Sequence, residues 1–150
     1  MSKYSFSEAE LRNRFIASLM ERSGILFYPE VPVFCRSVDL VLQDEKTGKL
    51  TAIEFKLHDW KRAILQAQSV GICFDFLCIC LPKPKTPAGE KNIVDACECN
   101  GVGLILYDET LDEFEVRVKS PRTSSVWKTQ KDMIIKYLEA KSYGSAAENA

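Results

Sequence analysis

Three segments follow one another at positions 50–82 with almost no intervening chain: LTAIEFKL, DWKRAILQAQSVG and FDFLCICLP. The first and third are runs of β-branched and apolar residues. The second has helical spacing, with Asp59 as N-cap and Trp60, Ala63, Ile64 and Ala67 on one stripe. Two strands joined through a helix lie parallel in one sheet, with a right-handed crossover. The third segment is almost wholly apolar, as a strand covered on both faces must be. These constraints require a sheet with a parallel centre and helices packed on it.

The remaining segments extend this unit. SEAELRNRFIASLMERSG reads as a first helix: Ser7 caps it, Glu10 completes a capping box, Leu11, Phe15 and Leu19 share a face, and Gly24 stops it. ILFYPEVPVF is extended, and its prolines suit an edge strand. VDLVLQ and LTAIEFKL flank the polar turn DEKTGK and form a hairpin. After the apolar strand come a basic loop, KPKTP, and a third helix, AGEKNIVDACECNG, closing at Asn100-Gly101. VGLILY is a buried strand and EFEVRVK a half-exposed one. SSVWKTQKDMIIKYLEAK is a last helix with Val126, Met133, Ile134 and Tyr137 as apolar positions, and Trp60 and Trp127 are read as core anchors. The order is α-β-β-β-α-β-α-β-β-α. The expectation is one α/β domain over residues 1–141, a mixed central sheet flanked by helices, with 142–150 as a flexible tail.

Twenty basic and 21 acidic side chains give a net charge of −1, so a nucleic-acid surface would have to be a local patch. No apolar run approaches the roughly 18–20 residues of a membrane span, and MSKYSFSEAE lacks the apolar core of a secretory signal. The expected location is therefore cytoplasmic. Six cysteines, at 35, 73, 78, 80, 97 and 99, are then reduced thiols. Their C-x-C pairs are read as buried thiols; a four-thiolate metal site would need the two pairs to meet.

Glu54 and Lys56 lie two positions apart in AIEFKL, so on a strand they share one face while Ile53, Phe55 and Leu57 share the other, core-facing one. Asp39, in VDLVL on the partner strand, is placed to converge with Glu54. Two adjacent carboxylates repel unless a cation lies between them, and Mg²⁺ takes oxygen ligands of this kind. A nearby lysine can orient a metal-bound water or offset charge on a phosphate. An isolated E-x-K would be an ordinary surface ion pair. The partnering Asp39 and the order of elements around it favour phosphodiester hydrolysis.

VDLVL with Asp39, followed fifteen positions on by IEFK with Glu54 and Lys56, resembles the PD-(D/E)XK nuclease superfamily across roughly Ser7 to Pro82. Val38 stands where the family name has proline. The resemblance implies a restriction-endonuclease-like αβββαβ core and a metal-dependent endonuclease acting on DNA. Asp39, Glu54 and the Phe55 carbonyl would hold Mg²⁺, with Mn²⁺ as a substitute, and Lys56 would be catalytic. It also implies a glutamate from the first helix, where Glu8 lies on the inward stripe and Glu10 is the alternative. A glutamine follows on the next helix, Gln66 in preference to Gln68. The Q-x-x-x-Y pattern of recombination-type exonucleases is absent, since Val70 and Ile72 stand at the tyrosine positions. Arg36, His58, Lys61, Arg62, Lys83 and Lys85 are the expected DNA contacts. A homodimer or a larger nucleic-acid-processing complex is the expected assembly. The alternative is a nuclease-fold module that binds nucleic acid or protein without cutting.

Overall fold

The computed structural model describes residues 4–124 and 126–149, with side chains described as far as residue 141. Six strands lie side by side in chain order: β1 (Ile25–Val33), β2 (Arg36–Asp44), β3 (Leu50–Phe55), β4 (Phe76–Pro82), β5 (Gly103–Asp108) and β6 (Glu113–Val118). β1, β2 and β3 form an antiparallel meander. β3, β4 and β5 are parallel, and β6 returns antiparallel at the far edge. The protein is thus a mixed α/β domain with a six-stranded mixed sheet. β1 is an edge strand, where its two prolines cost the sheet least.

Helix α1 (Glu8–Leu19) packs on one face through Leu11, Phe15 and Leu19, against Ile53, Phe55, Cys78 and Cys80. Helices α2 (Trp60–Ser69), α3 (Pro87–Asn100) and α4 (Lys128–Asn149) cover the other face. There Ala63, Ile64, Ala67, Ile93, Cys97, Ile134 and Leu138 meet Leu50, Ala52, Ile79 and Leu104. The Ser7 hydroxyl accepts from the Glu10 N–H at 3.1 Å and donates to its carboxylate at 3.3 Å, the reciprocal pair of a capping box. Asp59 caps α2 through the Arg62 N–H, and Gly101, at φ +67°, ends α3 in the left-handed conformation.

The structure corrects several sequence expectations. β3 has no solvated face: Ala52 and Ile53 are both buried, and Glu54 is only 1% exposed. A parallel neighbour and two helical layers leave no open side. A short 3-10 turn, Gly71–Cys73, links α2 to β4. Trp127 and Met133 are not core residues but 60% and 61% exposed; Ile134 and Leu138 carry the α4 contact. A buried acid also fixes α4: Asp75, 1% exposed, accepts from the Leu50 N–H and pairs with the Lys131 ammonium at 2.8 Å. α4 runs on through the segment read as a tail to Asn149, and Ala150 lies outside the described residues. Cys73, Cys78, Cys80 and Cys97 are buried thiols, whereas Cys35 and Cys99 are exposed. Burial pushes Cys78 and Cys97 up to about 12, so both stay protonated. Among the described residues no three His, Cys, Asp or Glu side chains are grouped to hold a metal.

Candidate active site

The β2–β3 ladder ends at the pair Leu40–Ile53. One step further, the Asp39 side chain replaces the backbone: its Oδ2 accepts from the Phe55 N–H at 2.8 Å. The opposite edge of β2 is also irregular here. The β1–β2 pairing steps from Pro29–Leu40 to Val31–Val38, and the intervening Glu30 has φ +52°, an uncommon conformation for a residue with a side chain. The strands part, and a cleft of about 150 Å³ opens, lined by Glu8, Arg12, Glu30, Asp39, Phe55 and Lys56 among others. It lies at the carboxyl end of the parallel strands, where open α/β sheets form crevices for ligands. Its volume suits an ion with its waters or one phosphate group; a polymer would have to lie across its mouth.

Glu8 enters from the first turn of α1, its Oε2 accepting from the Leu57 N–H at 3.1 Å and its Oε1 lying 3.9 Å from the Lys56 ammonium. Glu10 is occupied in the capping box, so the first-helix acid in the cleft is Glu8. Lys56 extends the β3–β4 ladder by one bond, from its N–H to the Cys80 carbonyl, and its side chain is mostly buried in the cleft.

Glu54 lies behind this lining, on the α2 side of the sheet. Its Oε1 accepts from Arg36 Nη2 at 2.8 Å. Burial, and then the adjacent Asp39 carboxylate, outweigh the cations Arg36 and Lys56 and push Glu54 from 4.5 up to about 8. Asp39 and Glu54 are therefore close enough to act on each other, and the guanidinium of Arg36 is bonded to Glu54 from the other side.

The donor set suits a hard divalent ion on chemical grounds. One oxygen each of Asp39 and Glu54 is engaged, by Phe55 and Arg36, and the two carboxyl groups also share a hydrogen bond, whose place a cation would take. A strand residue points its N–H and C=O the same way, and the Phe55 N–H points to Asp39, so its carbonyl also faces the gap beyond the ladder. Two carboxylates and a carbonyl are oxygen ligands of the kind Mg²⁺ accepts, with water completing the shell.

The remaining expected residues divide into two groups. Arg36 is not a free DNA contact: it is spent on Glu54, on the Gln66 carbonyl at 2.9 Å and on the Ser69 hydroxyl at 3.2 Å. The bond to its carbonyl brings the Gln66 turn of α2 beside Glu54, whereas Gln68 bonds to Asn100 on α3. His58, Lys61, Arg62, Lys83 and Lys85 are exposed. They lie on the junctions that follow β3 and β4, at the same end of the sheet as the cleft. His58 stacks on Tyr4 with ring centroids 5.4 Å apart. Two charged lining residues escaped the sequence reading. Arg12 is four residues after Glu8, hence on the same helix face, and was legible by that spacing. Glu30, 3.5 Å from Arg12, gave no signal beyond its place between two near-consecutive prolines.

No protein-family model matches the chain, and no curated protein aligns with it. Among solved structures, the SPO1766 protein of unknown function from Silicibacter pomeroyi superposes with a TM-score of 0.67 at 17% identity, over 97% of this chain and 94% of that one. The similarity shows a shared fold over nearly the whole length of both. A protein of unknown function, AF1548, gives 0.46 at 19% identity over 68% of this chain and 61% of its own. Pyrococcus furiosus SfsA, solved in complex with Ca²⁺, gives 0.40 at 13% over 75% and 64%.

Proposed function

We propose that the protein is a metal-dependent deoxyribonuclease of PD-(D/E)XK type, hydrolysing DNA phosphodiester bonds at this cleft. The observation that carries the reading is the convergence of Glu8, Asp39 and Lys56 on one small cleft, with Glu54 just behind its lining and acting on Asp39. Asp39, Glu54 and the Phe55 carbonyl would hold Mg²⁺ or Mn²⁺. The bound ion would supply a water of lowered pKa and a Lewis acid for the phosphate oxygens. Lys56 orients the attacking water and offsets charge developing on the phosphoryl oxygens. Glu8, beside Lys56, holds that ammonium in the cleft, and Gln66 orients a substrate phosphate or Lys56. Lys61, Arg62, Lys83, Lys85 and His58 contact phosphates on either side of the scissile one.

One set of contacts favours the second reading, a nuclease-fold module that binds without cutting. Asp39, Glu54 and Glu8 each already accept a hydrogen bond from the chain. The test is incubation with linear, nicked, branched and single-stranded DNA in Mg²⁺ or Mn²⁺, beside Lys56→Ala. Metal-dependent cutting that the variant loses supports the enzyme. Retention of DNA with no product from any substrate would leave the binding module.

A further inference from the structure

The Arg36 side chain is a clasp between two elements. Its Nη2 donates to Glu54 Oε1, and its Nη1 donates to the Gln66 carbonyl and the Ser69 hydroxyl in the last turn of α2. Carbonyls at a helix C-terminus carry partial negative charge, so this turn attracts a guanidinium. Nε, by contrast, is buried with no hydrogen-bond partner among the described residues. If Glu54 needed only a neutralising charge, a lysine would serve without leaving a buried donor unsatisfied. What lysine lacks is the planar fork that reaches a carboxylate and a carbonyl at once.

Arg36 is also absent from the cleft lining, whereas Asp39, Phe55 and Lys56 are part of it. It therefore reaches Glu54 from the α2 side and takes only Oε1. Glu54 is also hydrogen-bonded to Asp39, so its second carboxylate oxygen is held on that side. We propose that Arg36 is a positioning residue: it ties Glu54 to the C-terminal turn of α2 and so presents the remaining Glu54 oxygen to a divalent cation shared with Asp39. The inference rests on the metal-site reading above and deepens it. Residues that orient a metal ligand from behind typically contribute 10–100-fold to metal affinity.

Mn²⁺ is the probe, and free Mn²⁺ is followed by electron paramagnetic resonance during titration of the full-length chain. Arg36→Lys keeps the charge and loses the fork. Arg36→Ala opens space for added guanidinium. The expected result is Mn²⁺ affinity about 10–100-fold weaker in both variants. Millimolar guanidinium chloride should then restore part of it in Arg36→Ala, where sodium chloride at equal strength does not. Circular dichroism and urea midpoints identify folded variants; if Arg36→Ala is unfolded, Arg36→Lys decides alone. Wild-type affinity in Arg36→Lys overturns the positioning role while leaving the metal site intact, since charge alone would then suffice. Affinity that rises in the variants also overturns it, because Arg36 would then be a competitor of the cation. A wild-type chain that binds no Mn²⁺ overturns both this role and the metal-site reading.

Discussion

Lys56 and Glu54 sit two positions apart and answer to different forces. The Lys56 ammonium is 3.9 Å from Glu8, whose side chain is 44% exposed, so that pair contributes little to stability. Lys56→Ala should therefore keep its urea midpoint, while kcat for DNA cleavage falls about 10²–10³-fold, as when one donor to a developing oxyanion is removed. Glu54 behaves in the opposite way. Its pKa stands at about 8 in the folded chain, against an ordinary 4.5. Folding is thus favoured by its protonated form. That contribution is complete below about pH 4.5, declines as the unfolded chain ionises, and is lost as pH rises through about 8. In urea melts between those limits, Glu54→Gln should remove this decline and leave a flatter profile than wild type. Parallel profiles would mean that Glu54 is ionised throughout. The approach of Asp39 to Glu54 and the place of Glu8 rather than Glu10 in the cleft were legible from hairpin pairing and helix period. The one face read for Glu54 and Lys56 was not kept: Lys56 enters the cleft beside Glu8, and Glu54 turns to Arg36 behind it. The Arg36–Glu54 bond was not legible, since two residues 18 positions apart meet only through the actual divergence of β2 from β3.

At the scale of elements, the crossover from β3 through α2 to β4 was readable because apolar runs, a capping aspartate and short connections agreed. α4 was harder to read. Its apolar residues fit more than one helical phase, and its docking depends on an acid in another element. Asp75 holds the Leu50 N–H and the Lys131 ammonium, and its backbone carbonyl accepts from the Thr123 N–H and hydroxyl. Asp75→Ala removes a buried anion and strands a lysine whose side chain is 20% exposed. It should destabilise by about 3 kcal/mol, the lower end for breaking a buried pair. Lys131→Met in the same background should recover part of that loss, because the stranded charge is gone. Equal urea midpoints for the single and double variants would show that the lost Leu50 contact, not the lysine, sets the cost.

The two faces of the whole sheet are covered unequally. Three helices protect one side, whereas among the described residues α1, through Leu11, Phe15 and Leu19, is the one helix on the other, with Phe6 beside it. Among the described residues no helix is long and apolar enough to cross a membrane. The same α1 carries Glu8 and Arg12 into the cleft, and its first turn reaches the end of β3 through the Glu8–Leu57 bond. The helical cover of one face and one wall of the site thus belong to a single element. Elements with few buried contacts open at lower free energy than the whole molecule. Mild urea should therefore expose the amides of α1 to deuterium exchange, and abolish cleavage, before the β4 amides lose protection. Simultaneous loss at α1 and β4 would show the domain melting as one unit. The consequence is a built-in order of failure: chemistry would be the first property lost and the parallel strands the last, so a chain that still looks folded by its sheet could already be silent as a catalyst.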